Sequence, residues 1–406
     1  MPNADHDYLE SLGAELIGYG PAASDPIPPL AMAEDYGAFE QEYAALRRHV
    51  GVLHLPQLGV LQVTGEDRKD FLHRMLSQQV NELTGGQSLR TMQLDAEGHV
   101  LADGMIHHGD ASTWLEFDRF DIPGVRALFD QRLFAEDVTL EDVSEQYQGL
   151  ALIGPAAMRL LDSVASHTAE GMSAKDVGAM AGKHHVLTIN GTAVTAYRQD
   201  LGTTLGIRLV VPARAWVDLH RRLLDAAGYE PFDNATDLGE VFAQRRRESL
   251  RGRPVGWAAY NTARIESGLP LYHIDFGPDS VPAEAGASTV ERAVSLTKGC
   301  WLGQEAVARM HNLSHPKRVI AGLKFQDDAL PVAGTQVFEA DEDKRSRAPR
   351  GGQVGGVTSS TLSPLLGRCA IALAVMKWGK HRPGTVVAVP VGGEMVQAKV
   401  VELPFV

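Results

Sequence analysis

Cysteine is nearly absent from this chain. Two thiols, Cys300 and Cys369, serve 406 residues. That rules out a disulfide framework and suits a reducing compartment. It also rules out a Cys-x-x-Cys metal site or a cluster held by four thiolates of one chain. Long apolar runs are missing as well: none reaches the roughly eighteen residues a membrane-spanning helix needs. The opening stretch MPNADHDYLESLGAEL has neither an apolar core nor an Arg-rich amphipathic pattern, so it reads as no targeting segment, and a cytoplasmic location is expected. Positive charge is in deficit, with 38 Lys and Arg against 51 Asp and Glu and a net charge of −13. This argues against broad binding to nucleic acid or membrane, though not against a local basic pocket for an anionic ligand. There is no Walker loop, dinucleotide fingerprint or Ser-His-Asp pattern. His107-His108 and His184-His185 are adjacent rather than at helical ligand spacing, so no metal site is expected.

What is present is an ordinary globular composition, 44% apolar and 22% charged, long enough for two or three domains. Residues up to about Met32 carry little pattern, and the Pro-rich stretch from Pro21 to Pro29 reads as an extended lead-in. Residues 37–50 are helical by periodicity, with Phe39, Tyr43, Leu46 and Val50 on one face and Glu40, Glu42, Arg47 and Arg48 on a solvated one. A strand–turn–helix unit then recurs. Its copies are Val60 to Val63 followed by Phe71, Leu72, Met75 and Leu76; Leu150 to Ile153 followed by Met158, Leu160, Leu161 and Val164; and Ile207 to Val211 followed by Trp216, Leu219, Leu223 and Leu224. Such units, separated by further strands, suggest α+β subdomains with helices on one face of each sheet.

Between the first two copies, Thr91 to Asp95 and Val100 to His107 flank a turn and read as a hairpin. Asp103 lies in its second strand, where a carboxylate ordinarily faces solvent. Arg245-Arg246-Arg247, with Arg251 and Arg253, is the strongest basic run and reads as an exposed helix end. Residues 262–272 form a helix stopping at Gly268-Leu269-Pro270, with Arg264 and Glu266 near its end. Their forked donors and paired acceptors suit heterocycles and carboxylates, or simply each other on a surface. After a helical stretch at Val307 to His311, six short strands between Val319 and Val401 suggest a small β-barrel or sandwich.

One stretch concentrates chemistry: Lys298-Gly299-Cys300-Trp301-Leu302-Gly303-Gln304-Glu305. The glycines free the backbone, Trp301 and Leu302 can anchor it, and a cation beside a thiol favours the thiolate. On the residues alone, a single Cys is as a rule a small buried hydrophobe.

This stretch resembles the K-G-C-[YF]-x-G-Q-E motif of the YgfZ-type folate-binding proteins, a branch of the superfamily of the glycine-cleavage T-protein (aminomethyltransferase), with Trp301 in the aromatic position. Val63-Thr64-Gly65-Glu66-Asp67, Leu152-Ile153-Gly154-Pro155, the Arg264 to Tyr272 segment, Pro282-Ala283-Glu284 and Val354 to Ser359 extend the resemblance over nearly the whole chain. It implies an α+β fold arranged as a three-domain ring: an N-terminal extension over 1–34, a folate-binding region of two interleaved α+β subdomains over 35–315, and a C-terminal β-barrel over 316–406. It implies tetrahydrofolate or a one-carbon derivative as cofactor, iron–sulfur client or assembly proteins as partners, and neither nucleic acid nor membrane. Cys300, Lys298 and Asp103 become the expected catalytic residues, with Lys298 tuning Cys300. Arg264, Glu266, Arg208, Gln304 and Glu305 become the expected cofactor-binding residues.

Two departures from the T-protein stand out. Arg208 occupies the place of a carboxylate that clamps the pterin there, and Ala102-Asp103 keeps one of a pair of aspartates. Both look like the YgfZ branch. The expected function is therefore tetrahydrofolate-dependent assistance to iron–sulfur cluster synthesis or repair. The alternatives are a folate-dependent aminomethyl or methyl transferase, for which Asp103 is the candidate carboxylate, and a non-catalytic folate-binding scaffold or regulator.

Overall fold

The computed structural model describes residues 2–20, 29–166, 181–230, 250–326, 328–340 and 351–406. The Arg245-Arg246-Arg247 run and most of the Pro-rich lead-in lie outside these. The chain divides into two compact units. One comprises Met1–Glu66, Leu83–Leu89 and Met105–Asn261; the other comprises Asp67–Glu82, Arg90–Gly104 and Thr262–Val406.

The first unit is built on a seven-stranded sheet. Its order is Ala165–Ser166, His184–Ile189, Thr192–Arg198, Gly206–Pro212, Tyr147–Ile153, Gly51–Leu55 and Arg253–Val255. All neighbours run antiparallel except the last pair, which is parallel. Two of the recurring units supply its covering helices, Ala157–Val164 and Trp216–Ala227. Leu160, Leu161, Leu219, Leu223 and Leu224 pack onto Leu150, Leu152, Leu209 and Val211 of the strands. Period-2 strands meeting period-3.6 helices on one face is the arrangement their patterns call for. A second ladder in this unit pairs Leu58–Thr64 with Thr113–Asp118 and Thr139–Asp142. The turn after Leu58–Thr64 requires Gly65: its φ is +101° and an added Cβ would lie 2.0 Å from the Asp137 carbonyl oxygen.

Two expectations are corrected here. The N-terminus is structured: helix Pro2–Ser11 precedes strand Glu15–Tyr19, which pairs with Leu30–Asp35. Among the helix residues whose burial is described, Tyr8 and Leu9 are buried, too few to leave a periodic signal. And Glu42, assigned to the solvated face of helix Phe39–Arg48, is fully buried. Its carboxylate accepts the backbone N–H groups of Tyr36 (2.8 Å) and Gly256 (2.9 Å), which burial of a carboxylate demands. Burial, opposed by these bonds, raises its pKa.

The second unit ends in a closed six-stranded barrel, in the order Arg318–Phe325, Cys369–Lys377, Gln353–Ser363, Gln336–Glu339, Val386–Val391 and Glu394–Val401. Pairing of the last strand with the first closes it and leaves no exposed edge. Inward residues such as Leu323, Val337, Val357, Ala372 and Val389 alternate along the strands and fill the interior. Helices Arg68–Met75, Ala287–Ala293 and Gln304–Leu313 belong to the same unit.

Candidate functional site

The stretch Lys298 to Glu305 forms a turn leading into helix Gln304–Leu313. Gly303 caps that helix with φ +87°, and a Cβ there would meet the Asp95 carbonyl oxygen at 2.8 Å, so only glycine closes the turn in this way. Trp301 anchors the turn in an apolar cluster with Leu94, Ile265, Phe276 and Val294. Gln304 Oε1 accepts the Trp301 N–H at 3.2 Å and ties the helix start back onto the turn. Glu305 is exposed and accepts from Arg309 one helical turn on, at 2.7 Å.

Lys298 is deeply held. Its Nζ donates to the carbonyls of His73, Leu76 (2.7 Å) and Gln78 (2.9 Å), at and just beyond the C-terminal end of helix Arg68–Met75. A cation at a helix C-terminus satisfies carbonyls that have no partner within the helix. Burial lowers its pKa to about 7. The three carbonyls oppose that loss: an ammonium offers three protons to them, whereas a neutral amine would set its lone pair against one. Lys298 thus pins the turn, and Cys300, two residues on, is exposed.

Asp103 is mostly buried, at 8% side-chain exposure, and both its oxygens accept from Arg90, Oδ1 at 3.0 Å from Nε. Arg264 and Glu266 are buried completely. Arg264 donates to the Asp275 carboxylate, the Ser359 hydroxyl and the Leu269 carbonyl. Glu266 accepts from the Ser363 hydroxyl. Asp275 in turn accepts from Thr358 and Ser359. The structural helix is Trp257–Glu266, shifted from the expected 262–272, and these bonds tie its last turn to the barrel strand Gln353–Ser363 inside the second unit.

Arg208 lies in the first unit, at the heart of a cluster that motif reading did not reveal. Cross-strand register places His184 opposite Tyr197 and Tyr197 opposite Arg208, a row on one face of the sheet. Glu116 comes to the same place from Thr113–Asp118. Its Oε2 accepts from the Tyr197 hydroxyl (2.8 Å) and His107 Nε2 (3.3 Å), and its Oε1 accepts from Arg208 Nη2 (3.3 Å). Burial alone would raise the Glu116 pKa, but the bond from His107, the charge of Arg208 and the bond from Tyr197 together lower it to about 2. About a fifth of the Arg208 side chain remains accessible beside this fixed carboxylate. In the sequence Glu116 sits between Leu115 and Phe117 as the polar member of an alternating strand, the pattern of a solvated position. The paired histidines were the visible signal, and adjacency in strands hid their meaning.

The GCVT N-terminal domain matches residues 22–298 and the glycine cleavage T-protein C-terminal barrel domain matches residues 318–406. The chain belongs to the glycine-cleavage T-protein family. It is 27% identical over 399 residues to an aminomethyltransferase of Prosthecochloris aestuarii, covering 98% of this chain and 96% of that one. An aminomethyltransferase of Cutibacterium acnes is 29% identical over 377 residues, with 91% of each chain covered. The crystal structure of glycine cleavage system aminomethyltransferase T from Bartonella henselae superimposes with a TM-score of 0.77 at 21% identity, over 100% of this chain and 97% of the other. The fold is that of the aminomethyltransferases, α+β with a closed C-terminal barrel. The family binds tetrahydrofolate as substrate or cofactor. Among the described residues no helix is long and apolar enough to cross a membrane.

The donor set around Arg208 fits such a ligand. A pterin is flat and presents both donors and acceptors. Arg208 offers a planar fork of donors, and Glu116 an ionised acceptor whose Oε1 accepts from Arg208.

Proposed function

We propose that this protein binds tetrahydrofolate, or a one-carbon derivative of it, and transfers an aminomethyl or methyl group. The observation carrying this reading is its likeness, over 98% of the chain, to a protein named aminomethyltransferase. In the first unit, Arg208 and Glu116 would hold the heterocycle: the guanidinium donates to its acceptor edge, and the carboxylate is kept ionised to accept from its donor edge. Bound folate supplies the nitrogen that carries the one-carbon unit. Asp103 is the candidate carboxylate of the second unit, and its pairing with Arg90 holds it in one orientation. Calorimetric titration with tetrahydrofolate, followed by an assay for methylenetetrahydrofolate formation, tests both halves. Absence of binding at high micromolar ligand removes the folate reading. Binding without turnover removes the transferase reading.

A second reading, assistance to iron–sulfur cluster synthesis or repair in client enzymes, is favoured by one observation. The thiol of Cys300 is exposed on a turn held rigidly from beneath by Lys298 and Trp301. Exposure of a thiol on a fixed support is what action on another protein's cluster requires. Replacing Cys300 with Ser and assaying cluster-dependent enzymes in cells under oxidative stress tests it; unchanged client activity sinks it. Folate binding with neither turnover nor an effect of Cys300→Ser leaves a non-catalytic folate-binding scaffold.

A further inference from the structure

Three side chains of the first unit complete a continuous line of hydrogen bonds that neither reading above uses. Ser88 Oγ lies 2.7 Å from His107 Nδ1 and 2.8 Å from His184 Nδ1. His107 Nε2 lies 3.3 Å from Glu116 Oε2. His107 and Ser88 are buried, while His184 is partly exposed.

Starting from Glu116, the line of partners assigns a direction to each proton along it. Glu116 is an ionised acceptor, so Nε2 of His107 must carry a proton. A neutral His107 then has a bare Nδ1, which accepts from the Ser88 hydroxyl. With its single proton given to His107, the Ser88 oxygen accepts from Nδ1–H of His184. His184 is left with a bare Nε2 on its partly exposed edge. The neighbouring charged and titratable groups are compatible with this order. His107, Arg208 and Tyr197 hold Glu116 ionised; burial, then His107, His185 and His108, disfavour a resting charge on His184, opposed by its bond to the Gln87 backbone.

We propose that His184, Ser88 and His107 form a proton relay between the exposed edge of His184 and the buried Glu116–Tyr197–Arg208 cluster. A proton taken up at His184 Nε2 is followed by transfer of its Nδ1 proton to Ser88 and of the Ser88 proton to His107 Nδ1. One proton enters and one arrives, and the charge comes to rest on the imidazolium that faces Glu116. Burial and the nearby imidazoles pull the pKa of His184 down to about 4, so it passes a proton on rather than retaining it.

The test does not depend on folate. Nitrogen-15 spectra of the wild-type protein with labelled histidine are expected to show His107 protonated at Nε2 and His184 at Nδ1. The opposite tautomer of either ring overturns the relay. In Ser88→Ala, with the fold checked by backbone amide spectra, His184 is expected to lose its single tautomer, and Ser88→Thr, which keeps the hydroxyl, to regain it. An unchanged His184 tautomer in Ser88→Ala overturns the proposal. The decisive measurement is exchange of the His107 ring proton with solvent in His184→Gln. A purely structural role for His184 loosens the cluster and speeds that exchange. Loss of a relay slows it. Exchange that is unchanged or faster refutes the inference.

Discussion

Glu116→Gln separates charge from shape in the first unit. The wild-type carboxyl is held at about 2 against an ordinary value of 4.5. That gap corresponds to roughly 3 kcal/mol of stability at neutral pH, where the group is ionised in both the folded and the unfolded chain. Gln keeps an oxygen for the Tyr197 hydroxyl and His107 Nε2, which share Oε2, but its NH2 then faces Arg208 with donors. The buried guanidinium is then left without its counter-charge. Breaking such pairs costs about 3–5 kcal/mol, so the two routes agree. The sign with pH follows from a depressed acid. Its contribution is fully present above about 4.5 and declines as pH falls toward 2, to about 1.4 kcal/mol at pH 3. The chain holds two units and need not unfold in one step, so a whole-chain midpoint blurs the effect. Native-state hydrogen exchange of amides in Thr192–Arg198 and Gly206–Pro212 reads the local free energy instead. The expected difference between wild type and variant is about 3 kcal/mol at pH 7 and about half that at pH 3. A difference below about 1 kcal/mol at pH 7, or one that does not shrink at pH 3, refutes the assignment of Glu116 as an ionised hub.

Three further outcomes are expected. Lys298→Met leaves the carbonyls of His73, Leu76 and Gln78 without their donor and lowers the stability of the second unit by roughly 3 kcal/mol; hydrogen exchange in helix Arg68–Met75 measures it, and Cys300 reactivity toward a thiol reagent should change with the loosened turn. Asp275→Asn strips the counter-charge from Arg264, 1% exposed, and should cost about 3–5 kcal/mol in denaturant unfolding of the second unit; an effect near zero would show that Ser359 and Leu269 suffice to hold the guanidinium. Helix Pro2–Ser11 should detach on acidification. Tyr8 bonds to His220 Nδ1 at 2.8 Å, and burial depresses the pKa of His220 to about 3 and of His54 to about 4. The folded state therefore resists protonating them, and its stability falls as pH drops from about 6.5 toward those values, which should appear as faster exchange in the helix.

Much of the architecture was readable because it rests on local periodicity. The strand-and-helix units at Leu150 and Ile207, the stop of helix Trp257–Glu266 before Gly268 and the six barrel strands each announce themselves within a dozen residues. The Pro2–Ser11 helix did not, since two buried side chains, Tyr8 and Leu9, make no period. Glu42 was misplaced because its partners, Tyr36 N–H and Gly256 N–H, are brought to it by folding and not by spacing. The site was legible in the same uneven way. Arg208 was singled out as a cation where a carboxylate was expected, but Glu116, which gives that cation its meaning, lies 92 positions away.

The sequence alone determined the T-protein superfamily, the barrel, the scarcity of thiols and the peculiarity of Lys298 to Glu305, because each is a matter of short-range pattern or composition. Tertiary structure alone decided what those side chains touch. It set Lys298 against three carbonyls and placed Arg264 and Glu266 in the interior of their unit. It also gathered His107 and His184, one from each histidine pair, with Ser88 and Glu116 into one hydrogen-bonded line. The physical reason is that a buried polar group takes its role from whichever partners satisfy it, and cross-strand register draws those partners from distant parts of the chain.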